Sequence, residues 1–226
     1  MRKRKSTKNY RRGMIFLAIW LVFTVLVKII DVKPIGPEGS KIGFAKLNGA
    51  FFEMTGFREG LYNMTEIVGY LTFSVIALFA FMGLYQWITR RSLMKVDKRI
   101  MALGFFYIIV GILYIMFTVV TVNYRPVIID GGLEPSYPSS HTMMAISVFI
   151  SAIIMINEMV SGSGKKLILD ILCIVVLLVL AVGRTLCGVH WITDIIAGAL
   201  LSTGLLFLFK GVIERQKESS RGLKLY

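Results

Sequence analysis

The sequence predicts an all-α, polytopic membrane protein: a bundle of six transmembrane helices with an outer interfacial amphipathic helix. Three observations support this class. The 226-residue chain is 56% hydrophobic with a mean hydropathy of +0.72, which is far too apolar for a soluble domain of this length. Six apolar stretches reach the ~20 residues that a spanning helix needs. The basic residues cluster in the segments between alternate stretches.

The six predicted spans are separated by charged or turn-forming segments. They are Gly13–Ile30, Ile67–Ile88, Ile100–Val122, Thr142–Met159, Leu167–Val182 and Ile192–Phe209. The domain plan is therefore a basic tail at 1–12, a transmembrane domain at 13–209 and a second basic tail at 210–226. The first apolar run is long for a secretory signal and lacks a clear cleavage site after it, so we expect a retained helix.

The distribution of positive charge predicts the orientation of the chain. The net charge is +13, and most of the basic residues lie in the two tails and in the loops after the second and fourth spans. They include Arg2, Lys3, Arg4, Lys5, Lys8, Arg11, Arg12, Arg90, Arg91, Lys95, Lys98, Arg99, Lys165, Lys166, Lys210, Arg215, Lys217, Arg221 and Lys224. The positive-inside rule places these four segments in the cytoplasm of a protein in the cell membrane. We therefore expect both termini inside and no nucleic-acid partner.

A long segment on the opposite side, residues 31–66, follows the first span. It opens with the turn-forming run from Lys33 to Gly39 and then mixes apolar and charged residues. Such a mixture is typical of an amphipathic helix lying on the membrane surface. A cover for the bundle and a lipid-capturing lid predict the same pattern, and the cover is the simpler interpretation.

The chemistry is expected in two outer connections, residues 123–141 and 183–194. They contain both histidines of the chain, His141 and His190, and each has an arginine upstream, Arg125 or Arg184. Ionisable groups at the boundary of a membrane bundle are costly and are usually paired or functional. This coincidence predicts an active site on the outer side.

His190 and Asp194 are four residues apart, so on a helix they share one face. Asp194 would accept a hydrogen bond from one ring nitrogen and leave the lone pair of the other free to attack. A purely structural pair also fits this spacing. Two histidines and one aspartate from distant segments match a zinc site poorly, and we expect no metal.

Two arginines beside two histidines suit phosphoryl transfer, because guanidinium groups hold phosphate oxygens while nitrogen atoms act as nucleophile and acid. Ser139 and Ser140 precede a predicted helix and offer hydroxyl and N–H donors to the same anion. For Ser139 alone, an ordinary helix N-cap is the default interpretation.

Two motifs resemble signatures of the type 2 phosphatidic acid phosphatase family. The first is Pro138-Ser139-Ser140-His141, where the family has Pro-Ser-Gly-His. The second is Gly183-Arg184, five residues, His190, three residues, Asp194, where the family has Ser-Arg in the first two places. The resemblance extends from the second span onward.

The resemblance implies a metal-independent lipid phosphatase without a cofactor. His190 resembles the nucleophile that forms a phosphohistidine, Asp194 the carboxylate that orients it, and His141 the acid that protonates the leaving group. The residues in phosphate-binding positions are Arg125, Arg184, Ser139 and Ser140. The implied substrate is a phosphorylated lipid in the bilayer: phosphatidate, phosphatidylglycerophosphate or undecaprenyl diphosphate, with prenyl diphosphate slightly favoured. The alternatives are a non-catalytic relative that binds or translocates phospholipids and a lipid phosphotransferase.

Three positions depart from the family pattern. Thr118 stands where the family has a lysine seven residues before the arginine, Gly183 replaces a serine, and Ser140 replaces a glycine. One cation of the phosphate site is therefore missing from its expected place. Lys41 or Lys46 of the outer segment are candidates to supply it.

Overall fold

A computed structural model of the protein describes residues 4–129 and 131–222. Of the predicted basic tails, Arg2, Lys3 and Lys224 lie outside the described residues. The helices are α1 Lys5–Ile29, α2 Ala45–Thr55, α3 Glu59–Arg90, α4 Lys98–Val119, α5 Ser140–Met159, α6 Ser163–Leu186 and α7 Ile192–Gly222. Short 3-10 turns occur at Pro37–Gly39 and Leu93–Lys95.

All the helices except α2 are long and apolar enough to cross a membrane, which gives six spans. This confirms the predicted all-α, multi-pass class. The helix ends differ from the predicted spans, because α1 already begins at Lys5 and α7 continues to Gly222. Lysine and arginine are good helix formers, so the helices continue into the basic segments. Similarly, α3 begins at Glu59 rather than at Ile67.

Helix α7 is the central helix of the bundle. In its most apolar window 61% of the residues are buried, against 11% for α1 and 11% for α6. The main core cluster joins α7 to α4 and α5 through residues such as Phe106, Met143 and Leu201. Large apolar side chains on α3, α4 and α6 point outward, as expected of helices that face lipid.

Glycines allow α1 and α7 to approach closely. A Cβ atom on Gly204 would lie 2.8 Å from Cδ2 of Leu17, and one on Gly13 would lie 2.6 Å from Cδ2 of Leu208. Small residues at such contacts let helix backbones come together in membranes, where close packing drives helix association. The position of α7 against α1 therefore depends on these two residues.

The predicted amphipathic segment forms α2, which packs on the start of α7. The buried Asn48 donates from Nδ2 to Oγ1 of Thr193 at 3.0 Å and to the carbonyl oxygen of Gly43 at 2.7 Å. The rings of Phe52 and Trp191 are 5.8 Å apart. These contacts hold α2 over the first turn of α7, which is the covering arrangement.

Candidate active site

The connection between α4 and α5 folds back on itself as a hairpin. The backbone N–H of Arg125 donates to the carbonyl of Glu134 at 2.9 Å, and that of Ser136 donates to the carbonyl of Asn123 at 2.9 Å. This pairing places Arg125 opposite Glu134, whose Oε2 atom lies 3.1 Å from Nε of the arginine. Arg125, a predicted phosphate-binding residue, is therefore already paired with a carboxylate in this hairpin.

Asp194 joins this hairpin to α5 and α7. Its carboxylate is fully buried and accepts from Nδ2 of Asn123 at 3.2 Å and from the backbone N–H of Trp191 at 3.1 Å. Its carbonyl accepts from the N–H of Ser139 at 3.0 Å. A buried carboxylate is tolerated only when its oxygens are hydrogen-bonded, so these contacts fix the three elements relative to one another.

His190 is 4% exposed, and its Nδ1 atom lies 3.1 Å from the carbonyl oxygen of Ser136. A carbonyl only accepts, so Nδ1 carries the proton and the lone pair of Nε2 is free. Asp194, which the sequence predicts as the direct partner, is further away, with Oδ2 4.0 Å from Nδ1. Its oxygens are instead bonded to Asn123 and Trp191.

Burial lowers the pKa of His190 well below its ordinary value, and the positive charges of Arg125 and Arg184 act in the same direction. The carbonyl of Ser136 opposes this shift more weakly. The ring is therefore neutral at pH 7, as a nitrogen nucleophile must be. Within residues 4–129 and 131–222, Nε2 has no hydrogen-bond partner.

The loop that contains His190 is also held from the side of α3. The N–H of Arg58 donates to the carbonyl of Cys187 at 3.0 Å. Gly188 has φ +75°, and a Cβ atom there would lie 1.9 Å from the carbonyl oxygen of Gly56. Only glycine combines this conformation with such a close backbone approach, so the loop sits directly against the turn between α2 and α3.

Arg184 is completely buried, and its positive charge lies close enough to His190 to lower the pKa of that histidine. Its Nη2 atom donates to Oε1 of Glu66, and its guanidinium carbon lies 5.2 Å from the ring centre of Tyr62. No group in the described part of the chain pairs with Nε or Nη1 of this arginine. Buried, unpaired guanidinium N–H groups are costly unless an anion accepts from them.

Glu66 also faces the second histidine and was missed by the sequence prediction. Its Oε2 atom lies 3.5 Å from Nε2 of His141, which stands in the first turn of α5. The sequence prediction puts Glu66 in the outer segment, because the predicted span begins one residue later, at Ile67. Its position inside α3, among apolar residues, is the signal that marks an ionisable group as functional.

A cavity of about 160 Å³ opens between the hairpin, α4 and α5. Arg125, His190, Ser140 and Thr118 are among the residues that line it. Thr118 therefore does face the site where the resemblance expects a lysine. Neither Lys41 nor Lys46 lines this cavity, so the suggestion that one of them supplies the missing cation is not supported.

The two serines have different positions. Ser139 is fully buried and caps α5: its Oγ atom accepts from the N–H of Thr142 at 3.4 Å and lies 3.0 Å from Oγ1 of the same residue. Ser140 lines the cavity. Ser140 is thus the better placed of the two to meet a ligand, while a phosphate contact by Ser139 stays a prediction.

The structure also gives a reason for Gly183, which replaces the family's serine. A Cβ atom at this position would lie 2.4 Å from Cγ2 of Thr65 on α3. Thr65 precedes Glu66, so the close contact between α6 and α3 brings Glu66 to Arg184. The departure from the motif therefore follows from the packing of these two helices.

Together, the fold and the site define a polytopic α-helical membrane protein with a histidine–arginine site at one end of its bundle. Residues 119–218 match the model of the PAP2 superfamily, so this part of the chain is similar to that superfamily. The resemblance to the type 2 phosphatidic acid phosphatases is thereby confirmed.

The chain is similar in sequence to a protein and in fold to a crystal structure, both from Bacillus subtilis. Phosphatidylglycerophosphatase B of strain 168 is 32% identical over 83 residues, which are 36% of this chain and 41% of that protein. The crystal structure of a transmembrane PAP2 type phosphatidylglycerolphosphate phosphatase superposes with a TM-score of 0.60 at 18% identity. That superposition covers 90% of this chain and 96% of the other, and it shows a shared fold.

The protonation of His190 is directly measurable, because the chain has only two histidines. In protein labelled with 15N-histidine, the His141→Gln variant assigns the remaining signal. We expect His190 to stay neutral as the pH falls through about 6.5, the ordinary histidine value, because its lowered pKa retains the neutral form. Nε2 should show the shift of an unprotonated nitrogen. Charging at or above that pH, or a proton on Nε2, would contradict this assignment.

Gly183→Ser restores the family's serine but introduces a clash with Thr65. We expect overpacking to destabilise the protein by roughly 1–3 kcal/mol, measured by thermal unfolding in detergent. Thr65→Ser removes Cγ2 and keeps the hydroxyl, so the double variant should regain most of the loss. A Gly183→Ser variant as stable as the wild type would show that the helices can separate there.

Proposed function

We propose that the protein hydrolyses a lipid phosphate ester or diphosphate through a phosphohistidine on His190. The observation that carries this proposal is a buried, neutral His190 near a buried Arg184: within the described residues, Nε2 of the histidine and the Nε and Nη1 atoms of the arginine have no hydrogen-bond partner. A phosphoryl group is the ligand that suits both features, because its phosphorus accepts the nitrogen lone pair and its oxygens accept from guanidinium groups.

In the proposed first step, Nε2 of His190 attacks phosphorus and the bond from phosphorus to the leaving oxygen breaks. Arg184 and Arg125 neutralise the charge on the other phosphate oxygens. His141, acting in its imidazolium form, gives a proton to the leaving oxygen. Because Nε2 of His141 faces Glu66, Nδ1 is the nitrogen free to donate. The products of this step are the dephosphorylated lipid and a phosphohistidine.

In the proposed second step, water attacks the phosphohistidine and the N–P bond breaks. His141, now neutral, takes the proton from the water. Inorganic phosphate leaves, and both histidines return to their starting states. The two guanidinium groups supply the charge neutralisation in both steps, so we propose that the reaction needs no metal ion.

The proposed substrate is a membrane lipid, because the site lies at the ends of spanning helices, where a headgroup reaches it while its chains stay in the bilayer. The similarity to phosphatidylglycerophosphatase B favours phosphatidylglycerophosphate over phosphatidate and undecaprenyl diphosphate. The distribution of basic residues favours a site on the outer face, with both termini in the cytoplasm.

The central test is phosphate release by the purified protein from these three lipids. We expect His190→Ala to abolish release and His141→Ala to slow it by ~10²–10⁴-fold, the usual contribution of general acid catalysis. Wild-type protein given 32P-labelled lipid should carry label that is stable to alkali and lost in acid, and His190→Ala should carry none. EDTA should leave the rate unchanged. Equal release by the wild type and His190→Ala would overturn the proposal.

A second candidate function is phospholipid binding without hydrolysis, and Thr118 is the observation that favours it. The cavity contains this threonine where the family's catalytic members have a lysine. Binding of the same lipids with no release of phosphate by the wild type would establish this alternative. Transfer of the label to a second lipid would instead identify a phosphotransferase.

Thr118→Lys tests whether the site simply lacks a cation. We expect it to maintain or raise the rate of phosphate release, because an added donor at a phosphate site contributes to stabilisation of the transition state. Thr118→Met is the matched control, since it adds length without charge and should not accelerate release. A clear loss in Thr118→Lys, with unchanged thermal stability, would show that the pocket is built for a different charge balance.

A further inference from the structure

A cavity of about 830 Å³ lies at the end of the bundle opposite the candidate active site. It is formed by the start of α4, the last turns of α7 and Tyr10 of α1. Four basic residues line it: Lys98, Arg99, Arg215 and Lys217. It is several times larger than the cavity at His190, so a ligand larger than a phosphate ion fits there.

An apolar groove of about 460 Å³ continues from this cavity along the membrane-spanning part of α4 and α7. Met101, Phe105 and Leu208 are among its walls. Three residues line both the groove and the basic cavity: Lys98, Val212 and Gln216. The two spaces therefore form one continuous surface that is basic at the membrane boundary and apolar within the span.

Two of the four cations are already neutralised. Arg99 pairs with Asp97 at 2.9 Å, and Lys217 pairs with Glu158 and, at 3.3 Å, with Glu214. Lys98 and Arg215 make no such ion pair within residues 4–129 and 131–222. Two positive charges at the mouth of the groove are thus available to an anion.

Gln216 lies where the groove meets the cavity. Its Nε2 atom donates to the carbonyl of Lys98 at 3.1 Å, which fixes the orientation of the amide. Its Oε1 atom is buried and accepts from no group in the described part of the chain. A buried acceptor without a partner is costly, and a hydroxyl donor of a ligand would satisfy it.

We propose that this surface binds an anionic phospholipid of the leaflet opposite the active site. The lipid phosphate would lie against Lys98 and Arg215, a headgroup hydroxyl would donate to Gln216, and one acyl chain would fill the groove between α4 and α7. Basic pockets between spanning helices on the cytoplasmic side suit anionic headgroups. The apolar groove on a lipid-facing surface selects a lipid over a soluble anion. This lipid is distinct from the proposed substrate, because His190 is at the other end of the bundle.

Native mass spectrometry of the purified full chain tests the proposal with two lipids that have identical acyl chains. The wild type should retain phosphatidylglycerol and release phosphatidylcholine, whose ammonium group cancels the phosphate charge. Lys98→Gln combined with Arg215→Gln should weaken retention of phosphatidylglycerol by roughly tenfold or more, since each cation near the membrane surface contributes to anionic-lipid binding.

Arg91→Gln combined with Lys165→Gln is the matched control. It removes the same charge from the same end of the bundle, but neither residue lines the cavity, so retention should match the wild type. Equal retention of the two lipids, or equal losses in both double variants, would overturn the proposal. So would thermal stabilisation by inorganic phosphate that is lost in Lys98→Gln with Arg215→Gln and kept in the control, because a soluble anion would then be the ligand of this surface. His190 is unchanged in all these variants, so binding at the candidate active site is constant among them.

Discussion

The arrangement of the site depends on the buried carboxylate and backbone of Asp194. A carboxylate removed from water loses several kcal/mol of solvation, and this loss must be offset by hydrogen-bond donors. Here the donors come from Asn123 and Trp191. The same residue accepts from the start of α5 through its carbonyl. The α4–α5 hairpin, α5 and α7 therefore have one relative position in which this residue is satisfied, and in that position the carbonyl of Ser136 meets His190.

Much of this arrangement follows from the sequence, and the reasons differ between residues. The spans are predictable because a helix in lipid must be apolar over a fixed length. Hydropathy reports on lipid contact rather than on helix formation. It therefore underestimates the lengths of α1 and α7, because both helices continue into basic segments. His141, His190, Arg125 and Arg184 are predictable because ionisable groups are costly within a membrane bundle unless they are paired or functional, and these four occur on one side.

The partners of these side chains were less predictable. No residue type marks a backbone carbonyl such as that of Ser136, so the sequence predicts Asp194 as the partner of His190 instead. Glu66 belongs to α3, which is far in sequence from the two motifs. It reaches Arg184 only because Gly183 leaves room for Thr65. Contacts of this kind depend on how closely two helices approach, which a single sequence does not specify.

Each arginine of the site has its own carboxylate, Glu134 for Arg125 and Glu66 for Arg184. These carboxylates would compete with an entering anion for the guanidinium groups. An entering anion must displace or share them, so the site would hold phosphate more weakly than two free arginines would. In the proposed hydrolysis, which releases inorganic phosphate at every turnover, such internal competition would limit inhibition by the product. It also favours ligands whose apolar chains add affinity that the headgroup alone lacks.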